Sequence, residues 1–184
     1  MPQKLPNYVR SISTPHAVAL KRPQCAAFMG ATIVEWGRID WAIGNMLTIT
    51  MAPQPEATSR NSDWIAQAVM RELDTLHLRT RVVRSVLIAL LPDFLKEQWE
   101  KIEDQLRKRA KERNLLAHGK WGICDEFPED MIYLDPAGPR IRYTAKDFAA
   151  TLRRMYPLTG LLDDFTDKVL EANRTTKRPF LPTR

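Results

Sequence analysis

The sequence predicts a mainly α-helical fold, a bundle of four long helices with a small β-hairpin or three-stranded flap after the third helix. Two observations predict this fold. Apolar residues recur at helical spacing along four long stretches of the chain. Short runs of β-branched and aromatic residues, separated by turn residues, are confined to about residues 120–144. Hydrophobic residues make up 44% of the 184-residue chain and charged residues 27%, as in ordinary globular proteins.

The length suits one well-buried domain. We expect an N-terminal arm over residues 1–23, which contains four prolines, a helical domain over residues 24–172, and a flexible basic tail over residues 173–184. No apolar run approaches the roughly 20 residues needed to cross a bilayer. Residues 1–10 lack the apolar segment of a secretory signal, so we expect a cytoplasmic protein without membrane association.

The two cysteines, Cys25 and Cys124, are far apart and belong to no C-x-x-C pair or histidine cluster. We therefore expect buried thiols and neither a zinc site nor a disulfide framework. We also expect no other metal site and no cofactor. The sequence also lacks a phosphate-binding glycine loop, an H-E-x-x-H helix and a serine nucleophile elbow. The common enzyme templates that these motifs mark are therefore excluded.

The first helix is expected from Gln24 to about Met51. Within it, Gly30, Gly37 and Gly44 recur every seven residues, a spacing that suggests close approach of another helix, either within the bundle or across a dimer.

The second helix is expected over residues 63–91, with Ser62 or Asp63 as its cap. Pro92 ends it, and Asp93 caps a third helix that lasts to about Ala117. Thr144 and Asp147 resemble a capping box at the start of a fourth helix over residues 145–172.

The end of the third helix carries the candidate site. Its apolar seam consists of Leu95, Trp99, Ile102 and Leu106, and the same spacing continues to Arg113. Asn114 lies on the flank of this seam, and His118 lies one turn beyond Asn114. Arg113 and His118 are about 140° apart on a straight helix. Gly119 allows the helix to unwind at or just before His118, which would let the two side chains converge.

An arginine neutralises a phosphodiester, and a histidine exchanges protons near neutral pH. Together they supply what metal-free RNA cleavage needs, and a symmetric pair of sites from two subunits would provide both a base and an acid. The structural alternative makes Arg113 a buried salt-bridge partner and His118 a helix-terminal residue favoured by the dipole. The chain would then be a non-catalytic helical interaction or nucleic-acid-binding module. Glu35 lies on the apolar stripe of the first helix, where a buried carboxylate needs a partner. Arg113 is one candidate for this partner, although a local pair with Arg38 is the simpler alternative.

The net charge of +6 and the basic residues around the motif favour a polyanionic partner. The predicted nucleic-acid-binding residues are Arg107, Lys108, Arg109, Lys111 and Lys120. The alternative is a solvated helix face with Glu103, Asp104 and Glu112 as local partners. Two aromatic residues of the flap, Trp121 and Tyr133, would either stack on an unpaired base or cover the core.

The string R-N-L-L-A-H-G, from Arg113 to Gly119, resembles the R-x4-H motif of HEPN-domain proteins, including the frequent polar residue after the arginine. The resemblance covers roughly residues 24–172, because long helices precede the motif and another follows it. It implies a helical bundle that forms a homodimer and brings two motifs together in a basic cleft. Catalytic members are metal-independent endoribonucleases, often in toxin-antitoxin or phage-defence systems, whereas others only bind nucleic acid or nucleotides.

By motif position, the resemblance implies that Arg113 and His118 are catalytic, with Asn114 as the accompanying polar residue. It also implies RNA as a partner and, in a toxin-antitoxin system, an antitoxin. Two features depart from the family pattern. Lys120 stands where one toxin subgroup has a tyrosine, and the strands of residues 120–144 are an insertion relative to the simplest bundles.

Overall fold

The computed structural model describes residues 1–9, 11–15, 17–51, 60–90 and 92–175. The helices of these residues are α1 (Pro23–Met51), α2 (Arg60–Glu72), α3 (Leu76–Leu90), α4 (Asp93–His118) and α5 (Ala145–Thr175). The strands are β1 (Gln3–Lys4), β2 (Trp121–Gly122), β3 (Met131–Leu134) and β4 (Arg140–Tyr143). The prediction of a mainly helical chain with a small sheet after the long helix is confirmed.

The predicted helix over residues 63–91 is wrong, because it is divided into α2 and α3. At the break, the hydroxyl of Thr75 accepts a hydrogen bond from the backbone N–H of Leu78 at 3.3 Å. Nε of Arg79 donates to the carbonyl of Leu73 at 2.8 Å. These bonds satisfy backbone groups at the two helix ends. The predicted cap at Ser62 or Asp63 is also wrong, because α2 begins at Arg60.

The sheet is antiparallel, with the strand order β1-β4-β3-β2. The three runs predicted from sequence form β2, β3 and β4, with Tyr133 opposite both Trp121 and Ile141. The fourth strand comes from the N-terminal arm, where Gln3 pairs with Arg142. A two-residue strand has too little alternation to be recognised in the sequence.

The described residues divide into two compact units. Residues 1–36 and 108–157 form one, which contains the whole sheet and is called the sheet unit below; residues 37–107 and 158–175 form the other, the helical unit. A core cluster of the sheet unit consists of Val18, Cys25, Leu116, Ile123, Met131 and Phe148. In the helical unit, Trp99 packs on Phe165 with ring centroids 5.6 Å apart.

The predicted capping box of α5 is confirmed. The backbone N–H and the hydroxyl of Thr144 donate to Oδ2 of Asp147 at 3.0 and 2.7 Å, and the N–H of Asp147 donates to Oγ1 of Thr144 at 3.3 Å. The predicted buried thiols are confirmed as well, since Cys25 and Cys124 are both free and buried. Burial, with a smaller contribution from Asp130, raises the pKa of Cys25 to about 11, so its reactive thiolate is scarce at neutral pH.

The glycine spacing of α1 does not mark a close helix contact at every position. No described atom lies within 4 Å of a Cβ built on Gly30 or Gly37, and at Gly44 the nearest atom is Cε of Met70, at 3.8 Å.

No described helix is both long enough and apolar enough to cross a membrane. Residues 176–184 of the predicted tail lie outside the described residues.

Candidate functional site

Arg113 occupies the position that the apolar seam of α4 predicts. The four seam residues Leu95, Trp99, Ile102 and Leu106 are all buried. Arg113 follows them along the helix and is half-buried within the sheet unit. Its guanidinium carbon lies 5.3 Å from the ring centroid of Trp36, a residue of α1. The contact is a cation-π interaction between two helices of one unit.

The guanidinium of Arg113 lacks the partners that a structural arginine normally has. Its Nε is buried without a hydrogen-bond acceptor, and only Nε1 of Trp99 shares this state among the buried side-chain nitrogens and oxygens of the described residues. An unsatisfied buried donor costs about 1–3 kcal/mol, whereas a cation-π contact contributes about 0.5–2 kcal/mol. The two effects are of similar size, so stability alone does not explain an arginine here.

Glu35 precedes Trp36 on α1 and is 6% exposed. It takes part in an interaction of its own. Glu35 adjoins Trp36 in the chain, and the guanidinium of Arg113 contacts the ring of the same tryptophan.

His118 and Asn114 are exposed and lie away from the seam, about 140° and 100° from Arg113 around α4. The predicted unwinding before His118 is wrong, because α4 includes His118 and the N–H of Gly119 still bonds to the carbonyl of Leu115 at 2.9 Å. Regular helical geometry puts Lys111, Asn114 and His118 within an arc of about 60°, and all three are exposed. The same geometry keeps Arg113 about 140° from His118. One copy of the chain therefore brings Lys111, Asn114 and His118 together and leaves Arg113 on another face.

Gly119 is required for a different reason from the one that the sequence suggests. None of the described glycines has a positive φ, so the helix end does not use the left-handed conformation. A Cβ at Gly119 would instead collide with the carbonyl oxygen of Leu115 and lie 3.0 Å from Cε2 of Tyr133 and 3.2 Å from Nε1 of Trp121. The glycine lets the chain turn from α4 into β2 directly against this aromatic pair.

The predicted nucleic-acid-binding residues fall into two groups. Lys108, Lys111 and Lys120 are exposed, and no ion pair involves them in the part of the chain that the structure describes. Arg109 is only 15% exposed and bonds to Oε2 of Glu112 at 2.6 Å. Three lysines of the sheet unit can thus bind a phosphate, whereas Arg109 already forms an ion pair with a carboxylate.

Arg107 belongs to the helical unit. It lies 3.8 Å from Asp104 and lines an open depression of about 530 Å³. Its other lining residues are Arg84, Glu97, Glu100, Lys101, Glu103 and Asp104, so four carboxylates adjoin three cations. The carboxylates make the depression a poor phosphate site, because they repel a phosphate and occupy the nearby cations.

Trp121 belongs to the core and is not a free platform for a base. Its ring centroid lies 5.6 Å from that of Tyr133, 5.2 Å from that of Tyr143 and 5.4 Å from that of Phe148. Of the two alternatives left open by the sequence, the structure supports coverage of the core by this aromatic cluster.

Two features of the site carried no recognisable signal in the sequence. One is Trp36, which lies beneath Arg113 although the sequence gives only its place on an apolar helix. The other is Arg154 of α5, whose Nε donates to Oε1 of Glu112 at 3.0 Å. Both contacts join residues that are distant in the chain, so neither follows from local periodicity.

Within the described residues, no three His, Cys, Asp or Glu side chains are grouped as metal ligands. Comparisons of the chain with protein-family models, with curated proteins and with solved structures found no match.

Proposed function

We propose that this chain is a HEPN-like RNA-binding protein and a metal-independent endoribonuclease of the cytoplasm, with a composite site formed by two copies. The observation that carries the proposal is the guanidinium of Arg113, whose buried Nε has no acceptor. Buried polar groups are normally satisfied, and an anionic oxygen is the partner that this arginine lacks. Phosphodiester oxygens are strong acceptors for a guanidinium.

In the proposed reaction, the imidazole of His118 removes the proton from a ribose 2′-hydroxyl. The 2′-oxygen attacks the adjacent phosphorus, forming the O2′–P bond as the P–O5′ bond breaks. The departing 5′-oxygen takes up a proton, so the products are a 2′,3′-cyclic phosphate and a 5′-hydroxyl. Arg113 stabilises the negative charge that develops on the phosphoryl oxygens.

Two copies are needed because the two side chains diverge on an unbroken helix, by about 140°. We therefore pair Arg113 of one copy with His118 of the other. A two-fold axis would generate two such sites, each with one His118 as the base and with solvent as the source of the proton for the departing 5′-oxygen. Asn114, one turn before His118 and exposed like it, is suited to orient the imidazole or to bind the phosphate.

The exposed lysines support RNA as the substrate. Lys108, Lys111 and Lys120 surround the motif in sequence and have no carboxylate partners within the described chain. Each lysine that contacts a phosphate gains affinity by counterion release. In keeping with the HEPN resemblance, we propose a toxin-antitoxin or phage-defence role, with an antitoxin as a further protein partner.

The test is cleavage of an unstructured RNA in the presence of EDTA. We expect wild-type protein to yield 2′,3′-cyclic phosphate and 5′-hydroxyl ends, and Arg113→Ala and His118→Ala to yield none while remaining folded. Lys101→Ala, at an exposed lysine of the helical unit, is the matched control and should cleave like wild type. Absence of cleavage by wild type, or cleavage that survives both substitutions, would contradict the catalytic assignment.

The second candidate function is a nucleic-acid-binding module without catalysis. The divergence of Arg113 and His118 within one chain favours it over an active site confined to one copy. This function predicts salt-dependent RNA binding that weakens in Lys111→Glu, with no cleavage under any condition. Filter binding and the cleavage assay on the same RNA separate the two candidates.

A further inference from the structure

The proposed RNA surface consists of the exposed Lys108, Lys111 and Lys120. Arg154 is held in a fixed position beside Glu112, the residue that follows Lys111 on α4. Its Nε donates to Oε1 of Glu112 at 3.0 Å, and its Nη2 donates to the hydroxyl of Thr151 at 3.1 Å. A guanidinium has five N–H donors, so three remain after these two bonds. The side chain is 45% exposed, which leaves those donors within reach of solvent and of a ligand.

The surroundings of Arg154 carry more positive than negative charge. Glu112 accepts from both Arg109 and Arg154, so one carboxylate faces two guanidinium groups. Lys108 lies one turn before Glu112 on α4, displaced by about 40° around the helix, and has no ion-pair partner among the described residues. Three cations and one carboxylate leave a net positive patch where α4 meets α5 in the sheet unit.

We propose that Arg154 is a phosphate-binding residue of the RNA surface, oriented by Glu112 and Thr151. This assignment rests on the proposed RNA-binding function and extends the surface from α4 onto α5. Arginine recognises phosphate through its planar array of donors. A side chain that is already held loses less conformational entropy on binding than a free one does.

The neighbouring Arg153 provides a matched comparison. It has the same charge, is exposed and belongs to the same helix, but none of the hydrogen bonds found among the described residues holds its guanidinium. It also points about 100° away from Arg154 around α5. If only net charge mattered, substitution of either arginine would weaken RNA binding equally. If Arg154 contacts a phosphate, its substitution should weaken binding more than that of Arg153.

The experiment measures the affinity of the full chain for a fluorescent 2′-O-methyl oligouridylate, which cannot be cleaved because it lacks the attacking hydroxyl. Arg154→Gln should weaken binding about fivefold at about 0.1 M salt and lower the slope of log K against log salt by about 0.7. Arg153→Gln should change the affinity less than about twofold. Arg154→Lys should keep the salt slope and regain only part of the affinity.

Glu112→Gln separates a direct contact from a structural role. The amide oxygen can still accept from Arg154, but the carboxylate charge is gone, so tighter binding is expected if Arg154 contacts phosphate. If Arg154 serves only to fasten α5 to α4, both Glu112→Gln and Arg154→Gln should weaken binding in parallel with a loss of stability in urea.

Equal effects of Arg153→Gln and Arg154→Gln, or an unchanged affinity in Arg154→Gln, would overturn the assignment of Arg154 while RNA binding itself stands. Wild-type protein that binds no oligonucleotide would overturn the proposed function together with this assignment.

Discussion

The guanidinium carbon of Arg113 lies 5.3 Å from the ring centroid of Trp36, and Nε of the same guanidinium is buried without an acceptor. An arginine retained for stability would pair with a carboxylate, as Arg142 does with Asp130 at 2.5 Å. Both guanidinium groups contact an aromatic ring, since that of Arg142 lies 3.9 Å from the ring centroid of Phe127, but only Arg113 has a buried Nε without an acceptor. Arg113 is therefore suited to bind an anionic ligand, whereas Arg142 stabilises the fold through its ion pair with Asp130.

Replacement of Arg113 by methionine tests that difference. The substitution removes an unsatisfied donor, which costs about 1–3 kcal/mol, and a cation-π contact, which contributes about 0.5–2 kcal/mol. We expect the free energy of unfolding in urea to change by less than about 1 kcal/mol, while RNA cleavage is lost.

The matched control is Arg142→Met, which leaves the largely buried Asp130 without its cation and should lower the free energy of unfolding by about 1–3 kcal/mol. A loss above about 3 kcal/mol in Arg113→Met would instead identify Arg113 as a structural residue.

Two glycine substitutions should have opposite effects. Gly119→Ala forces a methyl group against the carbonyl of Leu115 and the ring of Tyr133, so we expect a loss of at least about 1–3 kcal/mol in unfolding free energy. Gly30→Ala, inside α1 where no described atom lies within 4 Å of the added carbon, should raise it by about 1 kcal/mol. Urea unfolding of both variants checks the pair, and a neutral Gly119→Ala would contradict the close packing at the helix end.

The Asp147 carboxylate should make stability depend on pH in the acid range. Burial raises the pKa of Asp147, but hydrogen bonds from Thr144 and the amino group of Met1 outweigh burial, so the pKa is lowered. Stability from this group is therefore present above the unfolded-state pKa of about 3.9 and is lost as pH falls through the lower folded-state pKa. Asp147→Asn should cost about 1 kcal/mol near neutral pH, and the difference should shrink near pH 3.

Urea unfolding at both pH values measures this difference. Asp125→Asn, at an exposed position, controls for the loss of one negative charge. An Asp147→Asn deficit that is the same near pH 3 as at neutral pH would contradict the role of the carboxylate in capping α5.

Local patterns in the sequence were sufficient to predict the long helix α4 and the arginine on its apolar seam. The spacing of Leu95, Trp99, Ile102 and Leu106 predicts the buried face of α4, and its continuation predicts that Arg113 is drawn inward. Asp93 is the first residue of α4, and Gly119 directly follows its last residue, His118, so these two residues mark both ends of the helix in the sequence. Thr144 and Asp147 likewise identify the start of α5, because a capping box is formed by residues three positions apart.

Local patterns could not predict contacts between residues that are distant in the chain. Trp36 and Arg113 meet because α1 packs against α4, and Glu112 and Arg154 meet across 42 positions of the chain. The break between α2 and α3 is a different case: its hydrogen bonds, from Leu78 to Thr75 and from Arg79 to Leu73, are local, but the break contains neither proline nor glycine to mark it in the sequence. The relation between Arg113 and His118 was also mispredicted, since α4 continues regularly to His118.

The composite site can be tested most directly by complementation between subunits. Arg113→Ala and His118→Ala copies carrying different tags would be co-expressed, and mixed dimers purified through both tags. In a mixed dimer, Arg113 of one copy and His118 of the other still form one complete site, so we expect about half of the wild-type cleavage rate, although each variant alone is inactive. Mixed dimers as inactive as the single variants, or a wild-type chain that remains monomeric while it cleaves RNA, would contradict a site shared between two copies.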